Sequence, residues 1–160
     1  TMLRSHPLYA QFGEPKEKET VRSKFGIKEG QKVLLFFGFI RKYKGLDFLI
    51  EAMSNKLINE RKIKLIIAGE FYENEKYYKQ KIHDLNLSKS IIIFDHYINN
   101  NEVSKYFCAA DIVVQPYLSA TQSGISMIAS CFQTGASLIG HRVREDHHDS
   151  YLKEYLCLMS

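Results

Sequence analysis

The sequence predicts an α/β fold: a Rossmann-like, three-layer α/β/α arrangement around a mostly parallel sheet. Short continuous apolar runs alternate along the chain with segments whose apolar residues recur at helical spacing. The apolar runs are continuous, as expected for strands covered on both faces, and several of them end directly at a glycine or a polar loop. Short connections between such strands and helices favour right-handed βαβ units, with helices on both faces of the sheet.

The order of elements follows from these patterns. The predicted strands are the apolar runs at 33–37, 63–68, 91–94 and 112–114, with a fifth at 137–139. The predicted helices lie at 14–25, 46–53, 77–87, 101–110 and 124–132. Gly26 is expected to end the first helix, and Ile82 and Leu85 to form the inner face of the third.

Composition narrows the class of protein. The chain has 160 residues, of which 45% are apolar and 25% charged, as expected for one globular domain. Its net charge of +4 is mild, and its cations are scattered, so nucleic acid is not an expected partner. The three cysteines lack CxxC spacing, which argues against a zinc site or a disulfide framework and fits a reducing, cytoplasmic setting. No apolar run is long enough to predict a membrane span.

Function is expected in the loops that follow the strands, because ligands of such sheets bind beyond the carboxyl ends of the strands. These loops are 38–45, 69–74, 95–101 and 115–124. The first contains three cations, Arg41, Lys42 and Lys44, and is neither a Walker A loop nor a GxGxxG motif. Arginine and lysine suit phosphate oxygens, although a solvated basic loop explains the same residues.

Most of the fourth loop, residues 116–124, has the composition of an anion-binding turn. It joins a predicted strand to a predicted helix and contains hydroxyl side chains and Gly124. The free amides and the positive dipole end of such a helix attract anions. Many α/β proteins contain similar turns, so the loop gains meaning only beside the basic loop at the same edge of the sheet.

Several segments together resemble a known family. These are the run from Phe36 to Gly38 with Arg41 and the motif Lys44-Gly45-Leu46-Asp47, the run 65–70, the run 103–116, and the loop Ser119-Ala120-Thr121-Gln122-Ser123-Gly124. As a set they resemble the nucleotide-sugar-binding domain of family-4 (group 1) retaining glycosyltransferases. The last loop, with the segments 6–9 and 12–13, is similar to one bacterial subgroup. The resemblance runs from about residue 6 to residue 128.

This resemblance implies one half of a GT-B fold, in which the C-terminal domain binds the sugar nucleotide and an N-terminal domain binds the acceptor. Lys44 matches the family lysine that neutralises the departing diphosphate, where preorganised positive charge aids catalysis most. The family's arginine position holds Phe39, so Arg41 is expected to supply the guanidinium instead. The donor loop, with Gln122, would bind the diphosphate through the amides of Ser123, Gly124 and Ile125.

The same resemblance also exposes a departure. Two family glutamates that contact the sugar and the ribose correspond here to Thr121 and Ala129. Thr121 can still hydrogen-bond a sugar, whereas Ala129 cannot hold a ribose through its side chain, so Glu70 and Glu73 are the candidate substitutes. Gly38 and Tyr97 complete the predicted donor site, with Tyr97 either stacking on the base or covering the sheet edge. His96 is expected to be a surface residue.

The predicted organisation is a linker with a short helix at 1–30, a donor-binding domain at 31–140 and an atypical tail at 141–160. Neighbouring histidines at 147 and 148 are poor evidence for a metal site, and neither metal nor cofactor is expected. The predicted function is hexose transfer from a nucleoside-diphosphate sugar in bacterial polysaccharide biosynthesis. The fragment alone would be inactive without the acceptor domain, and any membrane contact would come through that missing half. The alternative is a non-catalytic Rossmann-like module that binds a nucleotide or a protein partner.

Overall fold

The computed structural model describes residues 12–14 and 16–116. The strand predicted at 137–139 and the helix predicted at 124–132 lie outside these residues. So do the donor loop beyond Pro116 and the whole tail from 141 to 160. The segment at 6–9 is outside as well.

Four parallel strands form the sheet of the described part. They are β1 (Val33–Phe37), β2 (Lys64–Ala68), β3 (Ile91–Phe94) and β4 (Ile112–Val113). Their spatial order is β3-β2-β1-β4, and Leu34 of β1 pairs with Leu65 on one side and with Ile112 on the other. Each strand coincides with a predicted apolar run to within one residue, because buried parallel strands are apolar on both faces.

Within the residues that the structure describes, five complete α-helices connect or flank these strands. They are α1 (Lys18–Lys24), α2 (Leu46–Met53), α3 (Lys56–Glu60), α4 (Glu75–Asp84) and α5 (Val103–Ala109). Single 3₁₀ turns at Lys42–Lys44 and Asn100–Glu102 precede α2 and α5.

The sheet divides the core into two apolar layers. Leu34 and Phe36 face one layer, with residues of α2, α3 and α4, whereas Val33 and Leu35 face the other, with residues of α1 and α5. This alternation follows from the two-residue period of a strand. The predicted three-layer α/β/α fold is thereby confirmed.

Helix boundaries differ from the sequence prediction for local reasons. The helix predicted at 77–87 ends at Asp84, because Asn86 adopts a left-handed conformation (φ 57°) and the Leu87 amide donates to the Ile82 carbonyl. Asparagine is a common residue at this position of a helix end. Helix α3 was not predicted; Asn55 caps it by accepting a hydrogen bond from the Leu57 amide at 2.9 Å.

The strand order creates a switch point in the connections. From β1 the chain moves to one side through β2 and β3, and it then returns to place β4 on the opposite side of β1. In open α/β sheets, the crevice where the connections diverge in this way is the usual ligand site. The carboxyl ends of β1 and β4 are therefore the place where chemistry is expected.

Candidate functional site

The loops after β1 and β2 approach each other so closely that glycine is required. A Cβ atom added to Gly69 would lie 1.8 Å from the carbonyl oxygen of Gly38, and Gly69 has φ 152°, which L side chains rarely adopt. Beyond the two glycines, the Ile40 amide donates to the Glu70 carbonyl at 2.9 Å and the Tyr72 amide donates to the Ile40 carbonyl at 3.2 Å. The two loops therefore form one connected surface at the carboxyl edge of the sheet.

The basic loop positions its cations differently from one another. Arg41 is extended and exposed, whereas the following 3₁₀ turn buries Lys44 to 9% exposure and leaves Lys42 exposed. Burial lowers the pKa of Lys44, and the positive charge of Arg41 lowers it further. A buried ammonium beside a second cation favours an anion at this position, because the anion stabilises the charged form of both groups.

Gly45 brings this loop against the start of the predicted donor loop. It adopts φ 73°, and a Cβ atom added to it would lie 1.8 Å from the carbonyl oxygen of Pro116. Pro116 follows β4 and is the first residue of the loop at 116–124. The structure thus brings the lysine–glycine pair and the beginning of the donor loop together at the switch point between β1 and β4.

A pocket lies over the ends of β1, β2 and β3. Gly38, Glu70 and Tyr97 line it, together with apolar residues that include Phe12 and Ile98. Gly38 and Tyr97 of the predicted site therefore share one cavity. Arg41 and Lys44 are not among its lining residues and lie at the edge of the site where Gly45 meets Pro116.

Two glutamates, Glu70 and Glu73, were predicted to replace the missing acidic residues, and the structure places them in different surroundings. Glu70 lines the pocket with Gly38 and Tyr97. Glu73 is exposed and does not line this pocket. His96 is exposed, as predicted for a surface residue.

An aromatic cluster at this edge was not predicted from the sequence. The rings of Phe39 and Tyr72 lie 5.0 Å apart in an edge-to-face arrangement, and those of Phe39 and Tyr97 lie 6.4 Å apart. All three side chains are large and at least 40% exposed. Phe39 and Tyr72 come from different loops, so only the pairing of those loops could have revealed the cluster.

The remaining predicted donor-loop residues lie outside the described part of the chain: Thr121, Gln122, Ser123, Gly124 and Ile125. Ala129 and the histidines of the tail lie outside it as well. Within the described residues, no cluster of three metal-ligating side chains is present. No described helix has both the length and the apolar character needed to cross a bilayer.

A parallel sheet with a cationic loop and a glycine contact at its switch point defines an open α/β protein whose candidate ligand site lies at the carboxyl edge of the sheet. Comparison with known proteins identifies the family. Residues 17–130 match the family of glycosyl transferases group 1, and the chain belongs to this family.

Individual relatives agree with this assignment. The chain is 32% identical over 137 residues to alpha-monoglucosyldiacylglycerol synthase of Streptococcus pneumoniae, an alignment that covers 82% of the chain and 30% of that enzyme. It spans about a third of the length of the curated relatives that it matches.

Solved structures share the fold. The C-terminal domain of the group 1 glycosyl transferase LpcC from Francisella tularensis superposes with a TM-score of 0.72 at 21% identity, covering 94% of this chain and 86% of that domain. Anabaena HepE in complex with UDP-glucose gives a TM-score of 0.70 at 14% identity, covering 95% of this chain and 46% of HepE. At these identities the likeness concerns the fold, which is one half of a GT-B architecture.

Proposed function

We propose that this chain is the donor-binding domain of a retaining glycosyltransferase and binds a nucleoside-diphosphate sugar. The observation that carries the proposal is the contact of the Lys44–Gly45 pair with Pro116 at the switch point between β1 and β4. It puts a buried cation next to the start of a loop with anion-binding composition. The matching fold of HepE, which was solved with UDP-glucose, supports a sugar nucleotide as the ligand.

The proposed mechanism assigns the leaving group to the two cations. When the bond between the sugar anomeric carbon and the diphosphate oxygen breaks, the electron pair stays on the diphosphate. Lys44 and Arg41 neutralise that charge, and the amides of Ser123, Gly124 and Ile125 hold the phosphate oxygens. An acceptor hydroxyl then attacks the anomeric carbon on the face that the diphosphate has left and gives its proton to an oxygen of the departing diphosphate, without a metal ion.

The pocket over the ends of β1, β2 and β3 suits the nucleoside. Tyr97 and the apolar lining offer a stacking surface for the base, and the Glu70 carboxylate accepts hydrogen bonds from ribose hydroxyls. Glu70 is preferred to Glu73 because it lines the pocket. Thr121, with Gln122 beside it in the donor loop, would contact the sugar.

The proposed whole protein contains this domain and an N-terminal acceptor domain, so this chain alone is expected to bind donor without transferring the sugar. The C-terminal domain of LpcC, crystallised by itself, matches nearly the whole chain and supports that division. Hexose as the transferred sugar, a role in bacterial polysaccharide biosynthesis, and a cytoplasmic location complete the proposal.

Calorimetric titration of the folded chain with UDP and GDP tests the donor site. We expect saturable binding of at least one of them with a Kd below about 1 mM. UMP should bind at least about tenfold more weakly, because it lacks the second phosphate and its charge-assisted hydrogen bonds. Absence of binding by both diphosphates at millimolar concentration would leave only the non-catalytic module as an explanation.

A further inference from the structure

The pairing of the loops after β1 and β2 sets two side chains from different loops side by side. Ile40 is fully buried and forms an isolated parallel bridge with Phe71. Arg41 and Tyr72 are the next residues after this bridge on the two loops. Because successive residues of extended backbone alternate in direction, the residues that follow a buried bridge emerge together on the opposite, exposed side.

Arg41 and Tyr72 make direct contact there. The guanidinium carbon of Arg41 lies over the Tyr72 ring, 4.7 Å from its centroid. This is within the roughly 6 Å over which a cation is attracted to an aromatic face. In the part of the chain that the structure describes, the guanidinium forms no ion pair with a carboxylate.

A second ring supports the first. The planes of the Phe39 and Tyr72 rings make an angle of 87°, in an edge-to-face arrangement, and their centroids lie 5.0 Å apart. Such edge-to-face pairs are favoured by the charge distribution of aromatic rings. Tyr72 is therefore restrained on one side by Phe39 and through its backbone by Ile40, so its ring presents a fixed face to Arg41.

We propose that Tyr72 is a positioning residue that holds the Arg41 guanidinium beside Lys44, ready for the diphosphate of the donor. An exposed arginine has many rotamers, and ordering it on ligand binding opposes affinity. Contact with a ring face orders the guanidinium beforehand without occupying its N–H donors with a carboxylate, so they remain directed at phosphate oxygens. This inference rests on the proposed donor site and names the residue that organises it.

Burial in the core does not explain why a tyrosine occupies position 72. It is 53% exposed, so a tyrosine at this position contributes little to the core. The Lys44 amide donates to the Arg41 carbonyl at 3.0 Å, so the two cations belong to one turn, and the charge of Arg41 lowers the pKa of Lys44. Tyr72 instead makes its ring contacts at the surface, with the guanidinium of Arg41 and with the ring of Phe39.

A double-mutant cycle read by UDP titration tests the inference. Tyr72→Leu should weaken UDP binding about 3- to 10-fold, and Tyr72→Phe, which keeps the ring face, should stay within about twofold of the original protein. In an Arg41→Gln background, Tyr72→Leu should have almost no further effect. Additive losses, or equal losses in the Phe and Leu variants, would overturn the inference.

Tyr77→Leu is the matched control. Tyr77 is 50% exposed and also lies under a cation, with Lys81 Nζ 5.8 Å from its ring centroid, but it belongs to a groove between α2 and α4. Its loss should leave the affinity for UDP unchanged. A loss equal to that of Tyr72→Leu would contradict a specific role for Tyr72.

An NMR measurement separates this inference from the donor site itself. The side-chain resonances of Arg41 should show a ring-current shift that Tyr72→Phe retains and Tyr72→Leu abolishes. If that shift is absent, Tyr72 does not position Arg41. If the shift is present but the unaltered chain binds neither UDP nor GDP, the donor-site proposal fails and the role of Tyr72 in binding fails with it.

Discussion

Two places at opposite edges of the sheet, the amino ends of β1 and β4 and the loop after β1, use charged side chains in opposite ways. At the amino edge, Arg22 donates to Asp111 at 2.6 Å and to the Ala109 carbonyl at 2.8 Å, and Asp111 also accepts from the Val33 amide at 2.8 Å. At the carboxyl edge, Arg41 and the buried Lys44 are neighbouring charges of the same sign. Opposite charges at the first edge fasten α1 and the strands together, whereas like charges at the second favour an external anion.

The comparison extends to the aromatic residues. Phe25 and Phe37 pack with Tyr106 inside the layer that covers one face of the sheet. At the carboxyl edge, Phe39, Tyr72 and Tyr97 are exposed instead. Exposed aromatic side chains do not favour folding, and such exceptions are expected where a protein binds its ligand. The carboxyl edge therefore has the features of a site, and the amino edge those of a structural joint.

The largest effect is expected from Asp111→Asn at the amino edge. It leaves the buried Arg22 guanidinium without its charged partner, so the free energy of unfolding should fall by about 2–4 kcal/mol, measured by urea denaturation. Asp95→Asn is the control, because Asp95 and its partner Lys79 are both exposed; it should hardly shift the unfolding midpoint. UDP affinity of the folded Asp111 variant should stay the same, and a parallel loss of affinity would mean that the two edges are not independent.

The same variant has a characteristic pH dependence. Burial opposes ionisation of Asp111, but hydrogen bonds from Lys18, the Val33 amide and Arg22 outweigh it and hold the pKa below its ordinary value. The stability from this carboxylate is therefore fully present above the pKa of the unfolded state and is lost as pH falls through the lower, folded-state value. The difference between the original protein and Asp111→Asn should shrink in acid, and a constant difference would exclude this cause.

A smaller effect is expected from Gly45→Ala at the carboxyl edge. The new Cβ atom would meet the Pro116 carbonyl, and the left-handed backbone adds strain, so the variant should lose about 1–3 kcal/mol of stability and about tenfold in UDP affinity. Gly26→Ala is matched to it, because Gly26 also has φ 73° but nothing lies within 4 Å of an added Cβ. It should lose about 1 kcal/mol and no affinity. Equal losses of affinity would show that the contact with Pro116 does not shape the site.

Much of the fold could be predicted because its signals are local. Continuous apolar runs specify β1 and β3. Lys44, in the loop after β1, is predicted as a site residue because it matches the family's lysine before glycine, and that role stays a prediction. Features that depend on one residue were harder to predict. The sequence analysis did not identify Asn86 as the residue that ends α4, or Asn55 as the cap that begins α3.

The rest depends on contacts between distant segments. Nothing near β4 in the sequence says that it pairs with β1, and this pairing creates the switch point. Likewise, Phe39 and Tyr72 meet only because their loops are bridged. The hydrogen bond that joins Arg22 to Asp111 crosses 89 residues of sequence. Sequence patterns with short periods carry no information about such pairs.

The central claim is that Lys44 is a positioned cation for a diphosphate and not one charge of a diffuse basic loop. Comparing the UDP affinity of Lys44→Ala with that of Lys42→Ala, an exposed lysine two residues away, tests it most directly. We predict that Lys44→Ala weakens binding at least about tenfold, because a charge-assisted contact with phosphate is lost. Lys42→Ala should stay within about twofold, since an exposed charge is screened by solvent. Equal losses in the two variants would contradict the account.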